Sequence, residues 1–280
     1  MQVEKNKILK REGKKPILLD TFYSEEFSNQ PITIFCHGYK GFKDWGAWNL
    51  MAKSIVEAGI CFVKFNFSHN GGTMENPIDF PDLEAFGNNN YSKELDDLND
   101  VIDWVVSEFK NNSFVNVDNI SLIGHSRGGG ITIIKASEDK RIKKLITLAS
   151  VCDFAKRTAT IGNLEEWKEN GVKYVINGRT KQQMPHYYQF YEDFKANEER
   201  LHIETAEKQL QVPHLIIHGN NDSSVKIEEA YTLHQWNPNS HLKIIEAADH
   251  VFNVRHPWTK KLLSIELQAV VTSIKRFIKN

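Results

Sequence analysis

SLIGHSRGGG, residues 121–130, runs from an apolar stretch into a cluster of glycines with one serine inside it. Ser126 stands between Gly124 and Gly128, where it forgoes side-chain packing. A strand (119–124) that enters a tight turn and leaves as a helix forces the turn's central residue into a strained conformation. It also admits only small neighbours on either side. Such a turn holds a hydroxyl up for chemistry. It aims the amide N–H of Arg127, at a helix N-terminus, toward charge developing on a bound oxygen. An ordinary glycine-rich bend needs none of this combination. Neither G-x-G-x-x-G nor G-x-x-x-x-G-K occurs, so the glycines are not a dinucleotide loop or a P-loop.

Outward from this turn, short apolar runs alternate with longer helical patterns. ITIFCHG (32–38), ICFVKFNF (60–67), NISLIGHS (119–126), KLITLAS (144–150), HLIIHG (214–219) and HLKIIEA (241–247) read as strands, several of them buried on both faces. Helical patterns cover roughly 46–58, 91–110, 127–137, 226–236 and 258–278. In the second of these, Leu95, Leu98, Ile102 and Val105 form an apolar stripe. Glu94, Asp96, Asp97, Asp100 and Asp103 lie largely off it and read as a solvated face. The alternation predicts a doubly wound, mainly parallel α/β sheet in one domain, 1–280. From about 153 to 211 no buried strand shows, and a small helical cap inserted between two strands is expected there.

The bulk numbers narrow the function. Lys+Arg of 35 against Asp+Glu of 36 leaves a net charge of −1, which argues against nucleic-acid and anionic-membrane partners. Cys36, Cys61 and Cys152 sit in apolar surroundings without paired spacing, as small buried hydrophobes in a reducing compartment would. No stretch reaches the length of an apolar membrane span, and the first twenty residues carry charge throughout, so a cytoplasmic location is expected.

A serine hydroxyl needs a base, and the base an orienting carboxylate. LIIHGNNDSSV ends a strand and places Asp222 in the next turn, and LKIIEAADHVF does the same for His250. The order Ser126…Asp222…His250 arises when all three sit at the carboxyl ends of strands. With these residues the sequence resembles the α/β-hydrolase superfamily over most of its length. GHSRGG looks like the nucleophile elbow, HGNND the acid turn and ADHVF the histidine loop, while FCHGYKGFKDW (35–45) is similar to the family's His-Gly loop. The resemblance implies Ser126, Asp222 and His250 as catalytic residues, with the backbone amides of Tyr39 and Arg127 as the oxyanion hole. The HGYKG form resembles the esterase and serine-aminopeptidase-like branch. Arg127 departs from the family's habit of a small or hydrophobic residue after the nucleophile.

Each role has a rival. Asp249 or Asp153 could replace Asp222, although Asp249 adjoins the ring it would orient. His37 and His125 read as loop-holding residues. A zinc site from His37, His69, His125 and His250 lacks any H-E-x-x-H or C-x-x-C spacing. The aromatics of MPHYYQFYEDF (184–194), with Trp45, Trp48 and Trp167, read as packing, and FNFSHNGG (65–72) as a loop beside the site. The expectation is a hydrolase of carboxylic esters or related acyl bonds in small soluble molecules, with no metal or organic cofactor. Peptidase or thioesterase action on the same triad, or ligand binding without turnover, are the alternatives.

The 153–211 segment has no long apolar stripe for docking on lipid. Each added methylene contributes about 0.8 kcal/mol only while it finds buried surface. Across an ester series from acetate to palmitate, kcat/KM should peak at short to medium chains. Activity still rising at palmitate, or a jump above the critical micelle concentration, would instead mark a lipase.

Overall fold

The computed structural model describes residues 1–280. The chain opens with three strands, β1 (Gln2–Leu9), β2 (Ile17–Tyr23) and β3 (Gln30–Cys36), before helix α1 (Trp48–Val56) and strand β4 (Cys61–Phe65). Helices α2 (Leu83–Gly87) and α3 (Tyr91–Phe109) precede β5 (Val115–His125), α4 (Arg127–Glu138) and β6 (Ile142–Leu148). Next come α5 (Phe154–Ala159), α6 (Leu164–Asn170), β7 (Val172–Ile176), β8 (Gln183–Tyr187), α7 (Gln189–Ala196) and α8 (Ile203–Gln209). The chain closes with β9 (His214–Gly219), α9 (Ile227–Trp236), β10 (His241–Ile245) and α10 (Ile265–Lys279).

One eight-stranded sheet runs in the order β1-β2-β4-β3-β5-β6-β9-β10. The pairs β1–β2 and β2–β4 are antiparallel and all others parallel, so the α/β architecture expected from the strand–helix alternation is present. Period-two side-chain alternation builds a core on each face of the sheet. Ile32, Ile34 and Cys36 join α3 and α4 residues on one face, while Phe35, Phe62 and Ile123 join α1 and α10 residues on the other. Each such fully buried side chain contributes roughly 1.5–3 kcal/mol.

Three features differ from the sequence reading. The antiparallel pair β1–β2 extends the sheet beyond the parallel strands, with β1 mostly exposed at the edge. The C-terminal helix begins at Ile265, seven residues later than 258, because the Ser264 hydroxyl caps it by accepting from Leu267 N. Between β6 and β9 the chain forms not only helices but the antiparallel hairpin β7–β8, a second small sheet.

Charges also enter the core. Asp20 of β2 stands opposite Lys64 of β4 in register, and the two meet at 2.5 Å with neither exposed. Lys43 and Asp44, from the loop after β3, complete a quartet: Lys43–Asp20 at 2.8 Å, Lys43–Asp44 at 2.5 Å and Lys64–Asp44 at 2.6 Å. Burial pushes the Asp44 carboxyl up, but the Lys64 and Lys43 ammonium groups outweigh it and hold it well below the usual carboxylate range. The quartet thereby fastens the 37–45 loop to the sheet. Removing one partner leaves a buried charge uncompensated, so Lys64→Met should destabilise the fold by about 3–5 kcal/mol, read as a shift in urea midpoint. A loss under about 1 kcal/mol would mean that the quartet does not anchor this loop.

Candidate active site

Ser126 joins β5 to α4 at φ 57° and ψ −120°, a region that costs a non-glycine residue about 1–3 kcal/mol. Its amide donates to Leu148 O at 2.9 Å, and its carbonyl accepts from Gly129 N at 2.9 Å and Val151 N at 3.3 Å. The glycines around it answer to crowding. A Cβ on Gly128 would lie 2.5 Å from His37 O and 2.6 Å from Cys36 O, and one on Gly124 would collide with Gly128 O and Thr132 Oγ1. A Cβ on Gly38 would lie 2.8 Å from the Ser126 Cβ. The loop after β3 therefore runs directly against the serine, bringing the neighbouring Tyr39 backbone with it.

Asp222 and His250 come from the turns after β9 and β10. His250 Nδ1 donates to Asp222 Oδ2 at 2.7 Å. The other oxygen, Oδ1, accepts from Ser224 N at 2.8 Å and Val225 N at 2.9 Å. Burial alone would raise the Asp222 carboxyl. The hydrogen-bonding imidazoles of His218 and His250 outweigh it and hold the group well below the usual carboxylate range. The rival acids are engaged elsewhere. Asp249 Oδ1 accepts from Val251 N at 3.0 Å and Asn253 N at 2.7 Å, and Asp153 caps α5.

Ser126, Arg127, Tyr39 and His250 border one cavity of 350 Å³, and a second of 190 Å³ touches Ser126 and His250 from the side of Trp45 and Trp48. Two further histidines, His37 and His125, line the second cavity, and a third, His186, stands against Tyr39. His37 donates from Nδ1 to Gly38 O at 2.9 Å and accepts the Phe67 amide at Nε2, 3.2 Å away. His125 donates from Nε2 to His250 O at 2.9 Å, fixing the backbone of the triad candidate. His186 of β8 bonds the Tyr39 hydroxyl at 2.7 Å. Burial lowers His37 to about 4 and His125 and His186 to about 3, so all three are neutral near pH 7. No group of three or more His, Cys, Asp or Glu is arranged as a metal-ligand set.

The side chains that the sequence reading missed join the site over long sequence distances. The acidic face of α3 is not uniformly solvated: Glu94 and Asp97 are buried. Glu94 faces Arg127 at 3.5 Å, and Asp97 meets Arg11 at 2.6 Å while accepting from Ser68 N at 2.7 Å. The Arg127 guanidinium lies 4.3 Å from the Tyr39 ring centroid, 5.3 Å from that of Tyr91 and 5.5 Å from that of Phe190. The 65–72 loop does not line the Ser126 cavity. It braces the His-Gly loop, with Asn66 Oδ1 accepting from Lys43 N at 2.6 Å and Asn70 Nδ2 donating to Gly41 O at 3.2 Å. Within 184–194, Phe190 and Phe194 pack in the core, whereas His186 reaches the site.

The sequence model of the prolyl oligopeptidase family matches residues 68–263. No curated protein matches the chain significantly in sequence. Among solved structures, Est1E from Butyrivibrio proteoclasticus aligns with a TM-score of 0.72 at 18% identity, covering 99% of this chain and 98% of that one. The esterase domain of a Rhodothermus marinus protein gives 0.67 at 17% identity, covering 99% and 98%. The α/β hydrolase GrgF from a Penicillium species gives 0.66 at 17%, covering 100% and 98%. At these identities the likeness is one of fold.

The neutral histidines tie stability to pH. In the unfolded chain each ring takes up a proton near its ordinary value of 6.5, but in the fold only near 4 for His37 or 3 for His125 and His186. Their contribution is complete above 6.5 and is lost as pH falls from there toward the folded values, at up to about 1.4 kcal/mol per pH unit for each ring. His186→Gln keeps a partner for the Tyr39 hydroxyl and removes one titrating group. Its denaturation midpoint should depend less steeply on pH between 6 and 4 than the parent's. Identical slopes would show that His186 is not buried and neutral.

Proposed function

Because the chain belongs to the prolyl oligopeptidase family and is a hydrolase of the α/β-hydrolase fold, we propose that it cleaves esters or related acyl bonds of small molecules through Ser126, His250 and Asp222. In this reading Ser126 Oγ attacks the substrate carbonyl while His250 Nε2 takes its proton. The amides of Tyr39 and Arg127 donate to the oxyanion, His250 protonates the leaving group, and water then hydrolyses the acyl-enzyme by the same route. The observation that carries the proposal is the 2.7 Å bond from His250 Nδ1 to Asp222. It commits Nδ1 to the carboxylate and leaves Nε2 as the base, on a ring that shares a cavity with the strained Ser126.

The segment 153–211, with its hairpin and helices, is read as a cap on the single domain, and substrate specificity is assigned to it. Five of its residues, Phe154, Arg157, Thr160, Ile161 and Val175, border the cavity, which supports that role. No helix is long and apolar enough to cross a membrane, and all three cysteines are free, which suits action on small molecules in the cytoplasm. A second reading, peptide-bond hydrolysis, is favoured by the family match itself. Acyl p-nitrophenyl esters, aminoacyl anilides and acyl thioesters assayed side by side separate the two.

Ser126→Ala should fold normally and lose turnover by about 10³-fold or more, because nucleophile and base act as a unit. A fluorophosphonate probe should label the parent at Ser126 and leave this variant unlabelled. Asp222→Asn should cost far more activity than Asp249→Asn at saturating substrate. Wild-type kcat in the serine variant, or the reverse ranking of the aspartates, would overturn the assignment.

A further inference from the structure

The cavity beside Ser126 is bordered by three cations, Lys40, Arg127 and Arg157, and by no carboxylate. Arg157 is consumed by Glu229 and by Ser224 O, the latter at 3.2 Å. Arg127 is not consumed. Its guanidinium, only 12% exposed, makes one long contact of 3.5 Å from Nη1 to Glu94, and its remaining donors have no protein acceptor. Three aromatic rings pack around it, so the guanidinium and its unused N–H groups are held in place. Lys40 has no carboxylate partner; Nζ reaches only Ile176 O at 3.4 Å, over the ring of Tyr39. Guanidinium donors fixed in this way suit bidentate recognition of a carboxylate.

The apolar walls argue against a simple ion site. Val151, Phe154, Ile161 and Val225 line the same cavity, so the ligand has a hydrocarbon body as well as a charge. The second cavity at Ser126 has a different character. It is bordered by Trp45, Trp48 and the neutral rings of His37 and His125, and of the three cations it meets only Lys40. Arg127 follows the nucleophile directly, so a group bonded to Ser126 stays beside it through both acylation and deacylation, whereas the alcohol departs after the first step.

We propose that the Ser126 cavity takes an acyl group that itself carries a carboxylate, as in a half-ester of a short dicarboxylic acid, with Arg127 and Lys40 binding the anion. This rests on the hydrolase reading above and adds the substrate class. In the balanced step Ser126 Oγ replaces the alkoxy group at the ester carbonyl, the alcohol leaves with the proton passed by His250, and the distal carboxylate stays ionised throughout. Water then releases the dicarboxylate.

The test compares kcat/KM for monomethyl glutarate with that for methyl pentanoate, its neutral counterpart. The parent should favour the acid by on the order of 10-fold or more, the scale of one charge-assisted hydrogen bond. Arg127→Gln and Lys40→Gln should each cut that ratio about 10-fold. The ratio cancels any general loss of turnover from disturbing the oxyanion loop. A ratio near one, or one that the two variants leave unchanged, overturns the proposal and makes Arg127 a brace for Tyr39 and Tyr91. So does a preference for esters that carry the carboxylate on the alcohol. If the parent turns over neither ester and fluorophosphonate leaves Ser126 unlabelled, the hydrolase reading fails separately. Calorimetry still decides the pocket in that case: Ser126→Ala should bind monomethyl glutarate more tightly than the neutral methyl pentanoate, and equal or absent binding overturns the proposal.

Discussion

The site depends on one steric constraint: at the strand-to-helix turn, backbone packs against backbone with no room for a Cβ. Gly128 sits under the carbonyls of Cys36 and His37, and Gly38 lies against Ser126. The start of α4 and the loop after β3 are thus locked in one geometry, with the Gly38 backbone held against the serine. The strain at Ser126, about 1–3 kcal/mol, is offset by the three backbone bonds that its N–H and C=O make, at about 1 kcal/mol each. Strain of this kind persists only where the surroundings over-determine it.

The loop that carries Tyr39 is held from several other directions. Lys43 and Asp44 anchor it in the buried charge quartet, and His37 takes the Phe67 amide. The Tyr39 hydroxyl is fixed by His186 from the β7–β8 hairpin, so a segment inserted after β6 reaches the candidate oxyanion hole through one side chain. Preorganised donors need no rearrangement when charge appears, which is where their catalytic value lies.

Much of this was legible in the sequence because it is local. The Gly124–Gly128 spacing, the strand before it and the helix after it all lie within one short stretch, as do the turns that carry Asp222 and His250. The parallel strands announced themselves as apolar runs. What stayed hidden is what only the fold brings together. Glu94 and Asp97 occupy the polar side of α3 by periodicity, but Arg127 and Arg11 lie 33 and 86 residues away, and only packing turns a solvated face into buried ion pairs. Strands β1 and β7 were missed for another reason. β1 is a charged edge strand, and β7 is five residues long with Tyr174 and Ile176 exposed, so neither carries the apolar signature of a buried strand.

Burial treats the basic groups around Ser126 in two ways. The imidazoles of His37, His125 and His186 yield to desolvation and stay neutral down to about pH 4 or 3. The guanidinium of Arg127 cannot give up its proton, and although burial opposes the charge, Glu94 and the neighbouring tyrosines favour it. The fixed positive charge beside the serine therefore comes from a group that does not titrate, while the three imidazoles are kept neutral by the same dry environment.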